Sequence, residues 1–189
     1  STYGNRLHDY SMDRAEQFLQ VINETMAKGG NLIIPAFAVE RTQDLIYDLI
    51  MLGYEKKLDP NMQIYIDSPL AIAATEIFVK NRDSYEDTTR AFMTKGDPWQ
   101  YINLNLTRTR EESMQLNDSV SKSIIISASG MCEAGRIKHH LKHNLWRPES
   151  TILFVGYQAA GSLGRRILEG EQIVTIHGEK VAVKADIRR

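Results

Sequence analysis

Leu32-Ile33-Ile34-Pro35-Ala36-Phe37-Ala38-Val39-Glu40-Arg41-Thr42 is the stretch on which the fold turns. Residues 32–37 form a short, nearly continuous apolar run, as expected of a strand covered on both faces rather than one with a wet side. Pro35 weakens that reading, since proline cannot donate to a ladder. From Val39 to Tyr54 the apolar positions Leu45, Ile46, Leu49, Ile50 and Leu52 fall at helical spacing, so a helix follows the strand. Upstream, Phe18, Leu19, Ile22 and Met26 predict a helix over 12–28, with Ser11 as its N-cap and Gly29-Gly30 as its stop. The pattern recurs downstream. Residues 62–66 predict a strand, and Ser68-Pro69 opens a helix to about Val79, with proline at its favoured first position. Ser123 to Ser127 and Thr151 to Val155 are further strands, Gly135 to Trp146 and Ser162 to Leu168 helices. Residues 172–176 and 180–183 form a hairpin turned at His177-Gly178, and residues 80–122 read as one or two helices with connecting loops. Strands alternating with helices specify an α/β fold, a mostly parallel central sheet flanked by helices on both faces, Rossmann-like in layout.

The 189 residues suit one medium domain, long enough to bury a core without disulfide or metal staples. With 42% apolar and 25% charged residues the composition excludes disordered and fibrous classes. Cys132 is the sole cysteine, which excludes an internal disulfide and a cysteine-rich zinc site and makes a reducing, cytoplasmic setting the expectation. At a net charge of -1, contact with nucleic acid has to come from a local basic patch. No apolar run approaches the roughly 20 residues that cross a bilayer, so no membrane partner is expected. The opening Ser1-Thr2-Tyr3-Gly4 lacks a start methionine and reads as the interior of something longer. No repeat, low-complexity tract or linker divides residues 1–189, which are taken as a single domain.

In parallel sheets, ligands gather beyond the carboxyl ends of the strands. Four strand-to-helix turns there are unusually polar or glycine-rich: Ala38 to Thr42, Asp67-Ser68-Pro69, Ser127 to Met131, and Gly156 to Ser162. Ser129 and Gly130 lead toward a helix, where small side chains and free backbone N–H groups suit a phosphate. Arg41 could add a two-pronged contact to the same anion. The competing account is that small residues only cap helices and permit tight turns; the edge shared by all four turns favours a ligand.

His139 and His143 stand at i, i+4, the spacing by which one helix offers two imidazoles to a metal, but no glutamate lies between them. With Ile137, Leu141 and Leu145 inward, Arg136, Lys138, His139, Lys142 and His143 make up the opposite arc, a solvated basic face open to RNA. His177 has no visible partner, and His8 with Asp9 sits in a polar opening that reads as a loop anchor. Cys132 follows the Ser-Gly turn, yet no general base accompanies it, so a small core residue is expected. Asp67 ends a strand and could serve as acid or base, but a single carboxylate is a weak signal.

Taken in order and spacing, Ser1-Thr2-Tyr3-Gly4 with His8, Pro35 to Gln43, Asp67-Ser68-Pro69-Leu70-Ala71, Ser127 to Met131, and Gly156 to Gly164 resemble the β-CASP domain of RNA-processing metallo-β-lactamase nucleases. The resemblance covers nearly the whole chain. It implies a parent enzyme that binds two zinc ions between a metallo-β-lactamase core and the β-CASP insert, and a metal-activated water that attacks an RNA phosphodiester. It also implies that the zinc ligands lie upstream and downstream of residues 1–189, so that this segment alone holds no zinc and is inactive. Arg41, Ser129 and Gly130 are then the candidates for holding RNA phosphates, with Ser68, Tyr157 and Ser162 lining the same edge. Tyr3 and His8 would lie near the junction with the catalytic core. The implied partners are RNA, single-stranded where a closed cleft limits access, the rest of the same chain and, by family analogy, a second copy in a homodimer. A nucleotide- or sugar-phosphate-binding α/β domain explains the sheet and turns equally well, although no G-x-G-x-x-G follows the first strand. A non-catalytic scaffold of the same family is the other alternative.

Overall fold

A computed structural model of the chain describes residues 14–80, 96–119 and 121–189. Helix α1 (Arg14–Lys28) buries Phe18, Ile22 and Thr25 along one stripe and stops at Gly29, whose φ of 84° suits a residue without a Cβ. Strand β1 (Leu32–Pro35), helix α2 (Arg41–Tyr54), strand β2 (Gln63–Ile66) and helix α3 (Pro69–Lys80) follow. A 3-10 turn at Pro98–Tyr101 leads into β3 (Asn103–Leu106) and α4 (Arg110–Ser119). Next come β4 (Ser123–Ser127), α5 (Ile137–Asn144), β5 (Thr151–Leu153) and α6 (Leu163–Leu168). The chain ends in a hairpin of β6 (Ile173–Ile176) and β7 (Glu179–Ala182), then β8 (Asp186–Arg188).

Among the described residues six strands form one parallel sheet in the order β3-β2-β4-β1-β5-β8, and β6 pairs β7 antiparallel beside it. Three details differ from expectation. The strand predicted through Phe37 stops at Pro35, which lies opposite Ser127; the next N–H, that of Ala36, donates to the Ser127 carbonyl at 3.0 Å. Proline is thus tolerated as the last residue of its strand. The region 80–122, expected to hold only helices and loops, contains the edge strand β3, and β8 closes the opposite edge as a strand of its own.

Side-chain alternation divides the core into two layers. Leu32, Ile34, Ile64, Ile124 and Ile126 face α1 and α2, while Ile66 packs with Ile46, Ile50 and Ile72 of α2 and α3. On the other face, Ile33, Ile125, Ile152 and Phe154 meet Ile137 and Leu141 of α5, Ile167 of α6, and Val174, Ile176 and Val181 of the hairpin. Burying one such aliphatic side chain contributes about 1.5–3 kcal/mol, so both faces are strongly specified. The helix after β4 therefore leaves on the face opposite to those after β2 and β1, its two neighbours in the sheet.

The amino edge of the sheet is sealed. Buried Asn31 donates from its side-chain amide to Asn144 Oδ1 at 3.2 Å and accepts from the Ser123 N–H at 3.3 Å. A Cβ on Gly30 would meet the Glu149 carbonyl oxygen at 2.0 Å, so only glycine lets the backbones approach so closely there. The carboxyl edge instead carries exposed Phe37 and Tyr157, 44% and 40% accessible, which directs attention to that rim.

Candidate functional site

At the carboxyl rim the turn after β1 is held from within α2. Thr42 donates its hydroxyl to the Phe37 carbonyl at 2.7 Å, and the Gln43 amide donates to the Ala38 carbonyl at 3.1 Å and to Thr75 Oγ1 at 3.0 Å. The turn after β4 folds on itself: the Ser129 N–H donates to the Ala134 carbonyl, the Cys132 N–H to the Ser129 carbonyl, and the Ala134 N–H to the Ser129 hydroxyl. Phe37 bridges the two turns, because a Cβ on Gly130 would meet the Phe37 ring at 3.0 Å; the side chain is missing at the point where the ring lies. The turn after β5 locks onto both. Buried Gln158 donates to the carbonyls of Gly130 at 2.9 Å and Gly156 at 3.2 Å, and the Gly164 N–H reaches the Met131 carbonyl at 3.1 Å. Glu133, from the β4 turn, accepts the Leu163 N–H at the start of α6.

Gly130 is thus the meeting point of the turns after β1, β4 and β5, with Ser129 half-buried beside it and Tyr157 exposed in the third of these turns. Arg41 opens α2 and pairs loosely with Asp44 at 3.5 Å, its side chain 38% accessible. Ser68 and Ser162 are buried, and their hydroxyls accept the Ala71 and Arg165 N–H groups, both at 3.2 Å, as helix caps. Helix α5 begins at Ile137, well after Ser129 and Gly130, so these two residues occupy a self-bonded turn rather than a helix start. Tyr3 and His8 fall outside the described residues.

The turn after β2 joins the group through Asp67, whose carbonyl accepts the Ser127 hydroxyl at 2.7 Å. Its fully buried carboxylate gathers donors that the sequence scatters: Thr107 at 2.6 Å and Arg136 at 2.8 Å on Oδ1, Ser113 at 2.5 Å and His140 Nε2 at 2.6 Å on Oδ2. Burial pushes this carboxyl up, yet the hydrogen bonds from His140, Ser113 and Thr107 outweigh it and bring the pKa down to about 2. Arg136 also donates to the carbonyls of Thr107 at 3.0 Å and Arg108 at 3.1 Å. Sequence reasoning left Asp67 alone and placed Arg136 on a solvated face; the guanidinium instead turns inward to the anion. The overlooked signal was His140, three residues after Ile137 and one before Leu141, a polar group on the apolar stripe of α5.

On the outer arc of α5, exposed His139 stacks on His177 with ring centroids 4.6 Å apart, which supplies the partner that His177 lacked in the sequence. Burial and the neighbouring imidazole of His177 lower the pKa of His139. Burial likewise lowers that of His143, and Lys142 pairs with Glu179 at 2.7 Å. Among the described residues no three His, Cys, Asp or Glu side chains are placed to hold a metal ion. Cys132 is buried in the core beside Ile33 and Ile137; burial and the charge of Glu133 push its thiol up to about 12, which keeps it protonated and unreactive.

Ribonuclease TTHA0252 of Thermus thermophilus is 34% identical over 187 residues, covering 98% of this chain and 43% of that protein. Transcription termination factor FttA of Thermococcus kodakarensis is 31% identical over 95% of this chain and 28% of its own length. Endoribonuclease ysh1 of Schizosaccharomyces pombe is 28% identical over 96% of this chain and 24% of its own. The chain therefore spans less than half the length of each of these relatives. A family model described as the Beta-Casp domain matches residues 42–167. That match runs from the first turn of α2 to the last turn of α6 and takes in the turns after β2, β4 and β5, so the chain belongs to the Beta-Casp family found in metallo-β-lactamase-type RNA nucleases.

Proposed function

We propose that this domain is the substrate-binding cap of a zinc-dependent RNA nuclease, one wall of a cleft in which a phosphodiester bond is hydrolysed. The observation that carries the reading is the convergence of Phe37, Gly130 and Gln158 beside β4, where successive helices leave on opposite faces of the sheet. Such a divergence opens a crevice at the carboxyl ends of parallel strands, the place where ligands of α/β sheets collect. Arg41, Ser129 and Gly130 hold the phosphate backbone there, with Ser68, Tyr157 and Ser162 shaping the same edge. Phe37 and Tyr157 offer aromatic faces to unpaired bases, which favours single-stranded RNA. Phosphate contacts position a strand without reading its sequence, so the domain aligns substrate rather than selecting it. The described residues offer no donor set for zinc. The roles proposed for this chain are binding and orientation, with zinc chemistry proposed for the catalytic core of the same enzyme.

The test is a fluorescence-anisotropy titration of a single-stranded RNA oligonucleotide against the complete polypeptide between about 50 and 200 mM salt. Arg41→Ala is expected to weaken binding and to reduce the slope of log affinity against log salt by about 0.7, the value for one phosphate contact on a single strand. An unchanged slope removes Arg41 from the backbone contacts. Stabilisation by mononucleotides instead of RNA in a thermal-shift assay would favour a nucleotide-binding domain.

A further inference from the structure

We infer that Asp67 is a positioning residue for the RNA-binding rim: through Arg136 and His140 it fixes the turn bearing Ser129 and Gly130 against the turn that follows β3. The inference rests on the reading of that rim as an RNA site. Asp67 is fully buried and cannot touch a bound strand, so any effect on substrate has to pass through the groups that it holds. Those groups belong to three other segments. Thr107 follows β3, Ser113 lies in α4, and Arg136 with His140 marks the start and middle of α5. Arg136 extends the tie by donating to the carbonyls of Thr107 and Arg108. The turn over 128–136 is consequently held at both ends: Ser127 bonds the Asp67 carbonyl, Arg136 bonds the Asp67 carboxylate, and the Ile137 N–H closes on the Ala128 carbonyl at 3.2 Å.

Apolar side chains of similar volume can stabilise a buried space as well as an ion pair does. What the carboxylate adds is direction, since each donor has to point at one of two oxygens. His140 has the same logic. Its Nε2 faces Asp67, while its buried Nδ1 has no partner among the described residues. A ring N–H at Nε2 is what the carboxylate needs from this side chain. Glutamine, whose amide nitrogen lies at a similar reach, preserves that one donor; leucine does not.

The experiment is steady-state cleavage of a single-stranded RNA oligonucleotide by the complete polypeptide. Asp67→Asn, which turns an amide N–H₂ toward groups that are themselves donors, is expected to raise KM about tenfold with kcat within about twofold, the scale of one lost charge-assisted hydrogen bond. His140→Leu should behave similarly, and His140→Gln should restore KM to near the wild-type value. A fall in kcat at unchanged KM, or a His140→Gln protein as impaired as His140→Leu, overturns the inference. If Asp67→Asn does not accumulate as folded protein, Ser113→Ala deletes one donor and should raise KM about twofold to threefold; an unchanged KM is then the overturning result. Absence of RNA binding by the wild-type polypeptide would overturn both this inference and the reading of the rim. A salt slope that responds to Arg41→Ala beside a normal KM in Asp67→Asn would remove the positioning role alone.

Discussion

Asp67 has a folded pKa of about 2 against an ordinary value of 3.8, and the sign of its pH effect follows. A carboxyl held low in the folded state contributes stability that is complete above its ordinary pKa and is lost as the pH falls from about 4 toward 2. The shift corresponds to about 2 kcal/mol. Urea unfolding should therefore show the stability gap between wild type and Asp67→Asn shrinking by about that amount between pH 5 and pH 2; a gap independent of pH would show that the carboxyl is not held low. Nothing local announces this arrangement. Asp67 and His140 are 73 positions apart, and only the adjacency of β2, β3 and β4 brings Thr107, Ser113 and Arg136 to the same oxygens. The turns that carry Arg41, Ser129, Gly130 and Tyr157 were legible because their composition is itself unusual, and a parallel sheet places all such turns on one edge.

Helix α1 illustrates what periodicity can specify. Phe18 and Ile22 face the sheet while Asn23, one position on, points to solvent. Ile22→Ala should cost about 2–5 kcal/mol in chemical unfolding because it leaves a cavity in a closed core, whereas Asn23→Ala should stay within about 0.5 kcal/mol. Equal effects would contradict the packing of this helix. The strands β1, β4 and β5 were readable for a related reason: central parallel strands are buried on both faces and so appear as apolar runs, whereas β2 shows itself by alternation, with Ile64 and Ile66 buried. Edge strands lose that signal. In β3 the sequence Asn103-Leu104-Asn105-Leu106 alternates with asparagine, and Asn105 is occupied in bonding Gln63 Oε1 at 3.0 Å. In β8 a single apolar residue, Ile187, stands between Asp186 and Arg188, too short a pattern to distinguish from a loop.

Across the whole molecule the first described helix clamps the last strand. Lys28 reaches Asp186 at 3.4 Å, and Arg188 reaches Glu24 and Asp186, each at 2.9 Å. These pairs are partly exposed and screened, so together they contribute modestly. Arg188→Ala is expected to lower Tm by at most about 4 °C in dilute buffer, and the difference from wild type should vanish in about 1 M salt; a larger loss that resists salt would point to packing instead. The position of β4 has a kinetic side. Strands β1 and β2 share no ladder; β4 joins them, with β5 on the far side of β1 and β3 on the far side of β2. A growing polypeptide that has emerged only as far as residue 122 can zip β2 to β3, but it leaves β1 a greasy ribbon with vacant backbone donors and acceptors and nothing to join it to that pair. Closure waits for Ser123–Ser127 across a separation of about 90 residues, which makes assembly slow and leaves the nascent chain prone to clumping until that segment arrives.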